Sequence, residues 1–339
     1  MKKTAAFVAA IILTLCAAVP TWAQESASND RPQKIDGWKF AVEPLFGTRL
    51  GQCKEIVWRN KSSGGKYLLS ELVYDMLPAW YVGANVGARY KRFELNFLSK
   101  FFLPSKTGHL EDSDWQNLSD HSMKTDFSRH SLFIKPEDGL PGFELELGAA
   151  FNFYPTSFLT LAPLLSFDAH YISFKAKDGT GWYGWYNNPG PKTYPYDDPD
   201  HRDVRNYDGE NVIDYELYNL FIWTGLRADF VPCSWVKLSL ASEVALFWAM
   251  VDFDRHLSNH KNFIDITYSA FYAFRQTIKA EFKIKKFFSI CQKTSFLVTG
   301  ESEGDTYIKD SDKYKKNTLS KSGAQLICVD LELSAKFTW

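Results

Sequence analysis

The last nine residues constrain this chain more than any other stretch. From Leu331 to Trp339 they read Leu-Glu-Leu-Ser-Ala-Lys-Phe-Thr-Trp, apolar at every odd position and polar at every even one. Period-two alternation marks an extended strand with two unlike faces, because successive side chains point to opposite sides. The pattern returns at Phe93–Phe97, Phe143–Leu147 and Val236–Leu240. A soluble sandwich alternates as well. A final strand that ends on an aromatic residue, in an exported chain, selects a barrel of the outer-membrane type.

Export is read from the first residues. Lys2 and Lys3 precede an apolar run from Ala5 to Ala18, and Thr21-Trp22-Ala23 gives a small-residue cleavage site. Residues 1–23 are therefore expected to be a signal peptide, with Cys16 discarded in it and residues 24–339 left as one domain. Two lysines and no acid leave with it, so 37 basic face 40 acidic side chains, a net of −3. No basic excess is available to neutralise phosphates, which excludes a nucleic-acid partner. Cys53, Cys233, Cys291 and Cys328 remain, at spacings that match no zinc pattern. Aromatics form 16% of the residues, yet mean hydropathy is slightly polar, and no mature segment holds the ~20 apolar residues of a spanning helix.

Ten strands are expected, near 38–58, 66–77, 80–101, 143–154, 157–177, 212–231, 235–254, 263–285, 289–304 and 323–339. An even count lets an antiparallel barrel close. Short turns are expected at Pro78-Ala79, Tyr154-Pro155-Thr156, Val231-Pro232-Cys233-Ser234 and near Lys286, and longer polar loops at 59–65, 102–142, 178–211, 255–262 and 305–322. The fold class is thus all-β: a ten-stranded antiparallel transmembrane β-barrel. Several strands run to about twenty residues, twice the ~9–11 of a membrane span, so the barrel should extend above the outer membrane. So few strands leave little lumen, which disfavours a wide pore.

Two clusters fall at the rim of such a barrel. Asp112 and Asp114, in Glu111-Asp112-Ser113-Asp114-Trp115, share one face of an extended segment. Asp254 and His256, in Asp252-Phe253-Asp254-Arg255-His256, do the same, which lets a carboxylate orient an imidazole as a general base. In the seventh strand, however, Val236, Leu238, Leu240, Val244, Leu246, Trp248 and Met250 form the apolar set, and all are even. Asp252, Asp254 and His256 share that parity. They reach the lumen only if a β-bulge near residues 249–252 shifts the alternation.

Leu110–Trp115 followed by Thr125-Asp126-Phe127-Ser128-Arg129-His130 resembles the second loop of the omptins, outer-membrane aspartyl-type endoproteases on ten-stranded barrels. Asp254-Arg255-His256 resembles their catalytic Asp-x-His, and Gly47–Glu55 is similar to their first strand. The resemblance implies two catalytic pairs, Asp112 with Asp114 and Asp254 with His256, holding the water that attacks the scissile carbonyl. It implies that Glu55 and Asp252 line an acidic pocket for a basic residue before the cut. The parity of Lys39, Glu43, Arg49 and Glu55, opposite Trp38, Phe40, Val42 and Phe46, agrees with an inward Glu55. Ser128 and His130 become supporting residues. No cofactor or metal is implied, but an outer-membrane lipid, lipopolysaccharide, is, with Lys175 and Lys177 in the region of the family's basic wall.

The expected function is an outer-membrane endopeptidase that cuts peptides and protein loops next to basic residues, its site facing the exterior. The alternative is a non-catalytic barrel of the same fold acting as an adhesin or surface-binding protein.

Overall fold

A computed structural model describes residues 37–339 apart from 62–63, 136–139, 155, 157, 187–191, 259 and 311–312. The expected signal peptide lies outside the described residues. The strands are β1 (Trp38–Asn60), β2 (Lys66–Tyr90), β3 (Phe93–Phe102), β4 (Ser105–Asp114), β5 (Asp126–Ile134), β6 (Gly142–Phe151), β7 (Leu159–Gly184) and β8 (Arg202–Asn206). They continue with β9 (Asn211–Cys233), β10 (Val236–His256), β11 (Lys261–Ser269), β12 (Ala273–Lys285), β13 (Phe288–Thr299), β14 (Ser302–Asp310) and β15 (Lys313–Thr338). Pairing is antiparallel throughout, and β1 joins both β2 and β15, so the sheet closes into a barrel.

The expected count of ten is corrected to fifteen. Four staves of the barrel are interrupted, and each long neighbour pairs with both pieces: β2 with β3 and β4, β7 with β5 and β6, β10 with β11 and β12, β15 with β13 and β14. The small β8 lies beyond them, paired with the end of β7. Pro78-Ala79 is not a turn. β2 runs straight through it, and the ladder skips Leu77 and Pro78 instead, which is how a strand tolerates a residue with no N–H to give. About half of the expected loop 102–142 is likewise strand, in β3, β4 and β5.

These interruptions fall in two adjacent pairs on opposite sides of the barrel, separated by the continuous β7, β9 and β10 and by β15, β1 and β2. The Leu103 amide donates to the Trp80 carbonyl at 2.8 Å, Lys135 to Ser173 at 3.1 Å, Phe271 to Ala245 at 2.9 Å and Gly300 to Tyr272 at 2.7 Å. The level they mark, the waist, divides a lower part of the barrel from an upper one, with six continuous strands running through both.

Below the waist the faces are inverted relative to a soluble protein. On β15, Leu333 is 61% exposed while its neighbour Glu332 is only 4% exposed. Phe93, Leu147, Leu165, Leu226 and Ile290 also stand on the outer wall, while Arg49, Lys100, Glu144, Asp168, Glu243, Arg275 and Asp330 are buried in the lumen. The buried charges are paired. Lys100 Nζ lies 2.8 Å from Glu144, 2.8 Å from Asp330 and 2.9 Å from Glu332. Arg275 bridges Glu146, Asp168 and Glu243 at 2.8–3.2 Å. A cavity of only about 170 Å³ remains among them. Cys53, Cys233, Cys291 and Cys328 are free thiols.

The expected bulge is present, but lower than 249–252. Against β9 the register jumps between Ala245 and Phe247, leaving Leu246 unpaired. Below it Ala241, Glu243 and Ala245 face inward; above it Trp248, Met250, Asp252 and Asp254 do. Trp248 and Met250 are therefore not part of the outward set. They are buried, with the Trp248 indole donating to Asn219 at 3.0 Å. An apolar lumen-facing pair above the bulge disguised where the parity changed.

Candidate active site

Above the waist, Asp112 and Asp114 come from β4 and Asp254 and His256 from β10, on walls separated by β5, β7 and β9. All four line one cavity of about 1050 Å³. The bulge at Leu246 sets the inward direction on β10. On β4 the register places Asp112 opposite Ser128 and Asp114 opposite Asp126, so β5 lines the same cavity.

His256 Nε2 is 2.6 Å from Asp254 Oδ2, which leaves Nδ1 as the ring nitrogen without this partner. Asp254 is buried. Burial opposes the imidazolium, but the Asp254 carboxylate, its hydrogen bond and the facing Asp112 and Asp114 outweigh that and raise the His256 pKa to about 9. Burial, and then the negative charge of Asp114, raise Asp112 to about 8; Asp114 is raised as well, chiefly by burial. The Gln116 amide donates to Asp114 at 3.2 Å. Two close carboxylates resist joint ionisation, so this pair holds a proton near neutral pH. The mutual influence of His256 and the two aspartates across the cavity is what a site for one small molecule between them requires.

Glu55 lines the same cavity; Asp252 is not part of its lining and is buried, with its Oδ2 accepting from Tyr215 at 3.1 Å. Sequence reasoning missed the next residue, Asp265 of β11. It stands opposite Asp252 in the ladder, and Glu55, Asp252 and Asp265 each offer an oxygen within 4.8 Å of the others. Its signal was available: Ile264-Asp265-Ile266 alternates with Asp265 on the lumen side. Lys192 was missed too. It reaches into the cavity from beyond β7 to pair with Asp126, beside the Tyr183 and Tyr186 rings.

Ser128 and His130 are buried together. His130 Nε2 lies 2.9 Å from Ser128 Oγ, but its Nδ1 is held by the backbone carbonyl of Asp178 at 2.6 Å, not by a carboxylate. Burial lowers the His130 pKa, so nothing there stabilises an imidazolium as Asp254 does for His256. Ser128→Ala should keep kcat/KM within about tenfold of wild type, far from the loss expected for a general base. Loss of a catalytic magnitude would make Ser128 a nucleophile and refute the water mechanism.

Residues 38–338 match the sequence model of the Omptin family. This chain belongs to the omptin family. Among solved structures, the outer membrane protease OmpT from Escherichia coli superimposes with a TM-score of 0.73 at 16% identity, over 89% of this chain and 97% of that one. The outer membrane protein OprG from Pseudomonas aeruginosa aligns over 89% and 95% of the two chains at 7% identity, with a TM-score of only 0.32. Comparison with curated proteins gave no match. The omptin match and the shared barrel together support an outer-membrane protease.

Proposed function

We propose that this omptin is an endopeptidase that cuts next to basic residues, using a water activated by His256. The observation that carries this reading is the Asp254–His256 hydrogen bond on one wall of a cavity whose opposite wall presents Asp112 and Asp114. The outer apolar wall of the lower barrel sits in the membrane, and the cleft opens to the exterior on strands that stand clear of it.

In the productive form His256 is neutral and the Asp112–Asp114 pair keeps one proton. Water attacks the scissile carbonyl carbon as its proton passes to His256, and Asp254 stabilises the imidazolium that forms. The protonated aspartate donates to the carbonyl oxygen as negative charge builds there. When the C–N bond breaks, the proton on His256 is given to the leaving amine, which restores the base. Glu55 and Asp252 receive the basic side chain through charge-assisted hydrogen bonds, which fixes the scissile bond over the pairs.

The pH dependence follows. In the free enzyme His256 must lose its proton while the Asp112–Asp114 pair keeps one, so kcat/KM should rise with pH to a maximum between about 8 and about 9 and fall above it. Asp254→Asn removes the charge that holds this proton, so the rising limb should move to lower pH while the maximum falls. A limb unmoved by Asp254→Asn in a pH–rate titration would detach it from His256.

Lys175 and Lys177, half-buried on the outer wall of β7, are the proposed contacts for lipopolysaccharide; Lys177 also lies over the Phe133 ring at 5.2 Å. The test is refolded barrel with a fluorogenic Arg-Arg peptide, with and without lipopolysaccharide. Cleavage supports the reading; none under either condition favours a binding barrel.

A further inference from the structure

Charged side chains inside the lower barrel are neutralised by neighbours, but three carboxylates above the waist are not. Glu55, Asp252 and Asp265 are at most 3% exposed, and among the described residues none forms an ion pair. Glu55 Oε2, Asp252 Oδ1 and both carboxylate oxygens of Asp265 are buried without a hydrogen-bond partner. Burial and mutual repulsion raise all three above the usual carboxylate range, so without substrate they hold protons. A cation entering among them lets them ionise and supplies the donors these four oxygens lack. Glu55 and Asp265 line the large cavity, so the donor can enter from the cleft.

We propose that Asp265 is a third carboxylate of the pocket for the substrate's basic side chain, and that it makes the pocket prefer arginine to lysine. The inference rests on the reading of Glu55 and Asp252 as that pocket. Donor count gives the preference. An ammonium carries three protons and leaves at least one of the four oxygens orphaned. A guanidinium carries five N–H groups in a planar fork and can serve two or three carboxylates at once. The three acids approach from different strands, β1, β10 and β11, as a ligand with donors on several edges requires. Aromatic rings lie beside them: Tyr215, which donates to Asp252, stacks on Tyr74 with ring centroids 4.1 Å apart. The Tyr74 hydroxyl is a further buried group without a partner.

The experiment uses refolded full-length barrel as wild type, Asp265→Asn and Asp265→Ser, with circular dichroism to confirm each fold. Two fluorogenic peptides differ only in arginine or lysine before the cut. Wild type should prefer arginine by about tenfold or more in kcat/KM, the scale of one charge-assisted hydrogen bond. Both variants should bring that ratio close to one, mainly by losing activity on arginine. A ratio unchanged in the variants overturns the proposal. Binding is measured in parallel by calorimetry with N-acetyl-arginine amide and N-acetyl-lysine amide. Tighter binding of the arginine amide that disappears in Asp265→Asn upholds the pocket even if neither peptide is cut, and then only the endopeptidase reading fails. If wild type binds neither amide, or Asp265→Asn leaves their difference intact, the assignment of Asp265 is wrong.

Discussion

Replacing His256 by alanine should lower kcat/KM on an arginine-containing peptide by about 10²–10⁴-fold, the range for removing a general base. The loss should appear in kcat and leave KM nearly unchanged, because the residue acts on the water and not on the substrate's basic side chain. The barrel itself should be untouched: His256 ends β10 above the waist, is partly exposed, and its one short hydrogen bond is to Asp254. The residual activity would come from binding and from the Asp112–Asp114 pair. Asp254→Asn should cost less than His256→Ala, since the imidazole remains but loses the charge that stabilises its protonated form. Kinetics on the two variants and wild type check this; equal losses in kcat and affinity would point to a disrupted cleft.

The second large effect is on stability. Lys100→Met should destabilise the barrel by about 3–5 kcal/mol, the cost of removing one partner from a buried ion network. Lys100 is 2% exposed and holds Glu144, Asp330 and Glu332 together from β6 and β15. Arg49 would still pair with Glu144 and Asp330, and Lys293 with Glu332, but three carboxylates would share less positive charge. Adding Glu332→Gln to Lys100→Met should recover part of the loss, because it removes one uncompensated charge. Urea unfolding of the refolded barrel reads both. A midpoint unchanged in Lys100→Met would mean that the lumen charges contribute little to holding the wall beneath the site.

How much of this was legible in the sequence depends on what each face of a strand meets. In the lower barrel one face is apolar and the other charged, so Leu331–Phe337 announced both strand and direction. Above the waist both faces are wet, and the period-two contrast fades. Glu111-Asp112-Ser113-Asp114 is polar at every position, which is why β4 read as loop although it is strand. Turn chemistry misled at Pro78, because proline marks a break in pairing as readily as a chain reversal, and only the partner strands decide which. The bulge was inferred from a conflict of parity between the apolar set and the site. Its position was not, because Trp248 and Met250 are apolar yet face the lumen. Asp265 carried a local signal in its isoleucine neighbours, but its place beside Glu55 and Asp252 depends on the β10–β11 register and on closure of the barrel.

The central claim is that a water held between the two pairs, and not a serine, performs the attack. The most direct measurement is kcat/KM on one fluorogenic arginine peptide for wild type, His256→Ala and Ser128→Ala under identical lipid conditions. The account predicts that wild type and Ser128→Ala cut at similar rates while His256→Ala falls by at least about 10²-fold. Undiminished cleavage by His256→Ala, or an equally deep loss in Ser128→Ala, would contradict it.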